Sequence, residues 1–185
     1  MDKIKEEIRN SLLETYKDIS YWLSFAEAKN VALITLNSVL LGFCIDKFFK
    51  SYNVIYAIFC MMYIISLLIS LISFIPALNR REKIYNFITR GIEEKNIEND
   101  NFLYYRDIVK YTEVEYYEFI QKYIFNCEKS EIDEFNSLNN KYEKNLIKQI
   151  ISISKVTYLK YSLFKVALYI VIFTFFLLLI IVFIA

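Results

Sequence analysis

The chain has 185 residues, with 22 lysines and arginines against 21 aspartates and glutamates, and no histidine. A net charge of +1 gives no argument for nucleic acid as a partner, and the missing histidine removes the commonest general base and the commonest zinc ligand. Cys44, Cys60 and Cys127 form no Cys-x-x-Cys pair, so neither a metal site nor a disulfide framework is expected.

Two glycines, Gly42 and Gly91, and one proline, Pro76, are the only backbone breakers. Ordinary chains carry about 7% glycine and 5% proline, so long helices are predicted. Ile4, Ile8, Leu12, Ile19, Leu23 and Ala26 recur at helical spacing and mark residues 1–29 as an amphipathic helix. Its opening, MDKIKEEIRNSLLE, has no apolar core or small-residue cleavage site and does not read as a signal peptide. Nothing stops this helix from running into the apolar run Asn30–Ile45, which is short and carries Asn30, Thr35, Asn37 and Ser38. Lys29 and Lys47 would snorkel towards the two interfaces. Two longer runs, Ser51–Asn79 and Val166–Ala185, each suffice for a transmembrane helix, which takes about 20 apolar residues. Residues 30–79 are therefore expected to form a transmembrane hairpin and 166–185 a third crossing. The second crossing is predicted to continue past Pro76, kinked, through Arg80–Gly91.

Residues 80–165 are too charged for lipid. Glu93–Asn101 reads as a loop, and the tract Phe102–Val109 is ambiguous, with helix favoured. Thr112 followed by Glu115 predicts a capping box opening a helix Glu113–Phe125, and Ser130 with Asp133 a second one. Phe135, Leu138, Tyr142, Leu146, Ile150 and Ile153 then continue as one stripe, predicting a single helix of more than about fifty residues that ends in the membrane. The fold class expected is all-α: an integral membrane protein whose three transmembrane helices are continuous with a cytosolic helical bundle. Arg80, Arg81 and Lys83 after the second run, and Lys155, Lys160 and Lys165 before the third, place both flanks in the cytoplasm by the positive-inside rule. The topology is then N-terminus inside and C-terminus outside, and a bacterial inner membrane fits.

Three constellations carry possible chemistry. Glu27, Lys29 and Asn30 open the first crossing, where charges must pair, reach water or bind something; they read either as an interfacial anchor or as a gating pair. Tyr104, Tyr105, Arg106, Asp107 and Lys110 would stack a base and grip a phosphate, or else form a packed aromatic face with a solvated edge. Lys155, Lys160 and Lys165 stand five apart, a step that rotates about 140° on a helix, so they share no stripe. Positive-inside anchoring explains them, with a phosphate contact by Lys155, deeper in the bundle, as the other reading. No phosphate-binding glycine loop, nucleophile elbow, metal quartet or paired-carboxylate motif is present, and an enzyme is not expected.

At these tracts the chain resembles the Pycsar transmembrane effector family. The segment Tyr21-Trp-Leu-Ser-Phe-Ala-Glu-Ala-Lys-Asn-Val-Ala-Leu-Ile-Thr-Leu-Asn37 is similar to the element that opens that family's first crossing, with Glu27 where many relatives carry Asp. Leu71-Ile-Ser-Phe-Ile-Pro76 resembles the end of its second crossing, and Tyr104-Tyr-Arg-Asp-Ile-Val-Lys-Tyr with Glu115-Tyr-Tyr its aromatic tract. Ile147–Tyr161 resembles its pre-membrane helix. The resemblance implies an anti-phage effector acting beside a nucleotide cyclase. It has no cofactor; a cyclic nucleotide is its regulatory ligand, sensed by residues 80–165, and its target is the lipid bilayer. It implies abortive infection through membrane disruption, and homo-oligomers, since three crossings cannot line a wide pore alone. The other reading left open by the residues is a membrane scaffold or assembly subunit that binds a protein partner.

Overall fold

The computed structural model describes residues 2–75, 95–96, 98–121 and 141–184. Five helices lie among them: α1 (Asp2–Ser51), α2 (Val54–Ile72), α3 (Tyr105–Ile108), α4 (Glu113–Phe119) and α5 (Lys141–Ile184), with no strand among the described residues. The protein is all-α, and α1, α2 and α5 are each long and apolar enough to cross a membrane.

The 50-residue α1 runs unbroken because its only glycine, Gly42, is alone and no proline intervenes. Its hydroxyl residues keep their polarity local: Thr35 Oγ1 donates to the Val31 carbonyl at 3.1 Å and Ser38 Oγ to the Ile34 carbonyl at 2.9 Å. Such back-bonding removes the cost of a hydroxyl facing lipid. The helix stops at Tyr52, whose φ of 49° is the left-handed cap conformation usually left to glycine. Asn53 then caps α2, its side-chain oxygen accepting from the Ile55 amide at 2.9 Å. The apolar run that begins at Ser51 is therefore interrupted by a tight turn at its start.

The described course of α2 ends at Ile72, where the expectation was a kinked continuation past Pro76. Ser73 closes the helix, its hydroxyl donating to the Ser70 carbonyl at 2.7 Å. Residue 75 stands before a proline, which disfavours the helical region for it, and the continuation expected past Pro76 lies outside the described residues. The flank holding Arg80, Arg81 and Lys83 lies outside the described residues, as do Cys127 and the Ser130–Asp133 signal.

The chain divides into two compact units, and α1 and α5 supply residues to both. The first unit is formed by residues 1–24 and 84–158. The N-terminal stripe is its inner wall: Ile8, Leu12 and Ile19 are buried, together with Tyr105, Ile108, Tyr116, Tyr117, Phe119, Leu146, Ile147 and Ile150. Tyr142 departs from the expected stripe, lying exposed under the Arg9 guanidinium at 4.5 Å. The Phe102–Val109 tract, for which helix was favoured, forms only the single turn α3. The capping box at Thr112 is present in both directions, with the Thr112 amide donating to Glu115 at 2.8 Å and the Glu115 amide to Thr112 Oγ1 at 3.4 Å.

The second unit is formed by residues 25–83 and 159–185. Leu33 and Cys44 of α1, Phe59 and Tyr63 of α2, and Ala167, Val171 and Leu178 of α5 make its core. Its outer positions are large and apolar, among them Val39, Phe43, Ile58, Met61, Leu68, Ile172, Phe173 and Phe176. An apolar belt of this extent is unsuited to water and suited to lipid.

Candidate functional site

The charged boundary of the second unit is built from α1 and α5. Glu27 does not pair along its own helix. Its Oε1 accepts from Lys160 Nζ at 2.5 Å, a side chain 133 positions away. The lysine side chain is 8% exposed and the glutamate 46%, so the cation is the buried member. Lys160 Nζ also lies 5.3 Å from the Phe74 ring centroid. Asn30 sits one turn on, fully buried, donating to the Ala26 carbonyl at 3.0 Å and reaching the Lys160 carbonyl at 3.5 Å. Lys29 points to a different set, its ammonium 4.5 Å from the Phe25 ring and 5.3 Å from that of Tyr161. Two residues apart on a helix, Glu27 and Lys29 face different ways, and the structure keeps them apart accordingly.

Farther along the same helices the interior stays polar. Asn37 Nδ2 donates to Ser66 Oγ at 3.0 Å, and Ser66 Oγ donates to the Ala167 carbonyl at 3.0 Å. Thr174 Oγ1 donates to the Ile170 carbonyl at 2.7 Å. All four of Asn30, Asn37, Ser66 and Thr174 are fully buried.

In the first unit the aromatic tract forms a corner. The Tyr104 and Tyr105 ring centroids are 4.7 Å apart, and the Trp22 ring lies 6.3 Å from Tyr105. Tyr105 is buried, Tyr104 half-buried and Arg106 exposed. Lys110 is engaged from two sides, by Asp100 at 2.6 Å and Asp107 at 3.0 Å, with its side chain and that of Asp100 each only 5% exposed. Tyr111 donates its phenol proton to Asp100 at 2.8 Å. Burial alone would raise the Asp100 carboxyl, but hydrogen bonds from Lys110, the Asn96 amide and Tyr111 outweigh it and hold Asp100 below its usual range. Burial would likewise lower Lys110, but its two carboxylate partners raise it. Burial, reinforced by the bond to Asp100, raises the Tyr111 phenol. The cluster is a closed set of charges that pins Asn96, Asp100, Asp107, Lys110 and Tyr111 together. For Lys110 to grip a phosphate it would have to leave two carboxylates.

One family matches, the Pycsar effector protein domain, and it covers residues 11–185. The chain belongs to that family. Comparison with curated proteins and with solved structures gave no match. Pycsar effectors are anti-phage defence proteins, and no enzyme family is indicated.

In this Pycsar effector the residues expected from sequence fall into both units. Glu27 and Asn30 share one boundary, with Lys29 on another face of the same turn. Tyr104, Tyr105 and Arg106 lie at the aromatic corner, joined by Trp22. Lys155, expected deeper in the bundle, is exposed on α5, and the buried lysine of the three is Lys160. Two residues were missed. Lys160 had been read as an anchor, although its register identifies it. Thr157, Lys160, Phe164, Ala167, Val171, Thr174 and Leu178 alternate three- and four-residue steps along the inward face of α5, whereas Lys155 and Lys165 fall off that register. Asp100 had been read as part of a loop, and no local pattern marks its partner ten residues on.

Proposed function

We propose that this Pycsar effector responds to a cyclic nucleotide made by an infection-sensing cyclase and permeabilises the bacterial inner membrane, ending the infection with the cell. The observation that carries the reading is that one family match runs through both a lipid-suited unit and a second unit with an ordinary buried core. In this reading the first unit lies in the cytoplasm with the N-terminus, the C-terminus lies outside, and several copies act together. The aromatic corner offers the rings of Trp22 and Tyr104, backed by the buried Tyr105, as faces on which a base stacks, and Arg106 a guanidinium for its phosphate. Lys155 is a peripheral contact at most, and Lys110 serves to hold the corner's loop. Ligand must bind one packing of the helices better than another, since equal affinity shifts nothing.

The test is membrane potential, read with a potential-sensitive dye in cells expressing the chain beside a panel of nucleotide cyclases. Depolarisation with a single cyclase is expected, lost in Arg106→Ala with the protein still in the membrane fraction. Unchanged potential with every cyclase, or an Arg106→Ala response equal to the parent, would count against the reading or the site respectively.

A further inference from the structure

The second unit is apolar outside, and buried polar groups thread the apolar core within. On α1 the buried stripe runs Asn30, Leu33, Asn37 and Cys44; α2 meets it with Tyr63, Ser66 and Ser70, and α5 with Ala167, Val171 and Thr174. The thread from Asn37 through Ser66 to the Ala167 carbonyl touches all three helices. What remains along it is unsatisfied. Asn30 Oδ1, Asn37 Oδ1, the Tyr63 hydroxyl and the Ser70 hydroxyl are buried and have no hydrogen-bond partner among the described residues.

Each such group carries an unrelieved desolvation cost when kept from water, whereas an apolar residue of similar shape at the same place is nearly neutral. Lipid offers no partner, so the cost is not relieved from outside. The unmet groups are neutral amide oxygens and hydroxyls, and the charged side chain buried near them, that of Lys160 beside Asn30, is already paired with Glu27, so they suit water, which both donates and accepts. We propose that the seam between α1, α2 and α5 is a hydration path, held by Asn30, Asn37, Tyr63 and Ser70 and plugged by Leu33, which widens to pass water and small monovalent ions when the helices repack. The inference rests on the permeabilising function proposed above and gives it a place: the leak runs between the helices of a protomer and not through torn bilayer. Leu33 is the plug because it alone interrupts the polar positions between Asn30 and Asn37 on the buried face.

The experiment uses the full chain, expressed without any cyclase, and the same dye. Leu33→Ser should depolarise the cells. Leu33→Met keeps the plug's bulk and its apolar character, so it should hold the parent potential. Val39→Ser, on the outward side of α1, should also hold it. Asn37→Leu added to Leu33→Ser should restore the potential, with every variant equal in the membrane fraction. Should Leu33→Ser fail to accumulate, Val171→Ser on the facing side of the same core takes its place. Intact potential with the serine variant inserted, or an equal leak from Leu33→Met, overturns the seam. A serine leak in a chain that answers no cyclase would keep the seam and remove the nucleotide reading. Cyclase-dependent depolarisation with a silent serine variant would do the reverse.

Discussion

Glu27 and Lys160 divide unequally between water and interior, and that asymmetry sets what substitution does. Removing the glutamate strands a buried ammonium, whereas removing the lysine strands a half-exposed carboxylate. Glu27→Leu should therefore lower the melting temperature in detergent more than Lys160→Met, the former costing about 1–3 kcal/mol. Equal losses would mean that the lysine is solvated. A second residue-scale prediction concerns acid. Glu115 is pushed down from 4.5 to about 2, first by the Lys95 hydrogen bond and then by the Thr112 cap, and Asp100 is also lowered. A depressed carboxylate stabilises fully above its unfolded value and loses that contribution as pH falls through the folded one. Protection of the amides of residues 100–119 from hydrogen exchange should thus decline between pH 4.5 and about 2. Asp100→Asn should start lower and decline less.

Among the elements, the α1–α2 turn contains the one non-glycine residue with positive φ among those described, Tyr52. Tyr52→Gly should stabilise the hairpin by about 1 kcal/mol, because a β-carbon in the left-handed region costs about 1–2 kcal/mol and glycine escapes it. A fall in melting temperature would show that the tyrosine ring, packed edge-on near Phe48, matters more. Much at this scale was legible. Scarce glycine and proline foretold α1 and α5, and Thr112 with Glu115 foretold the start of α4, since both signals are local. The Glu27–Lys160 pair was not legible, because its partners are far apart in sequence and meet only once two helices pack. The same holds for Asn37 and Ser66: each is visible as a polar residue in an apolar run, but their pairing depends on helix rotation. The continuation expected past Pro76 lies outside the described residues.

At the scale of the molecule, neither unit is a continuous stretch of chain. Residues 1–24 belong with 84–158, and 25–83 with 159–185. Deleting residues 1–24 should unfold the first unit, which loses the buried Ile8, Leu12 and Ile19, while the membrane-spanning helices still insert. Protease resistance of residues 95–121 would report the first effect and carbonate-resistant membrane association the second. A deletion that leaves that segment protected would show that the stripe is dispensable. Leu12→Ala, fully buried, should weaken the same unit by about 2–5 kcal/mol.

The interleaving of the two units also dictates an order of events on the ribosome. The N-terminal stripe emerges first, yet the residues it packs against are complete only at Tyr158. At about 5–20 residues per second, this leaves Ile8, Leu12 and Ile19 uncovered for on the order of ten seconds during synthesis. Meanwhile the first two apolar helices are already due for insertion. Until Tyr158 is made, the stripe can be held only by its own amphipathic character, its polar side facing water and its apolar side waiting for a partner that the chain has yet to supply.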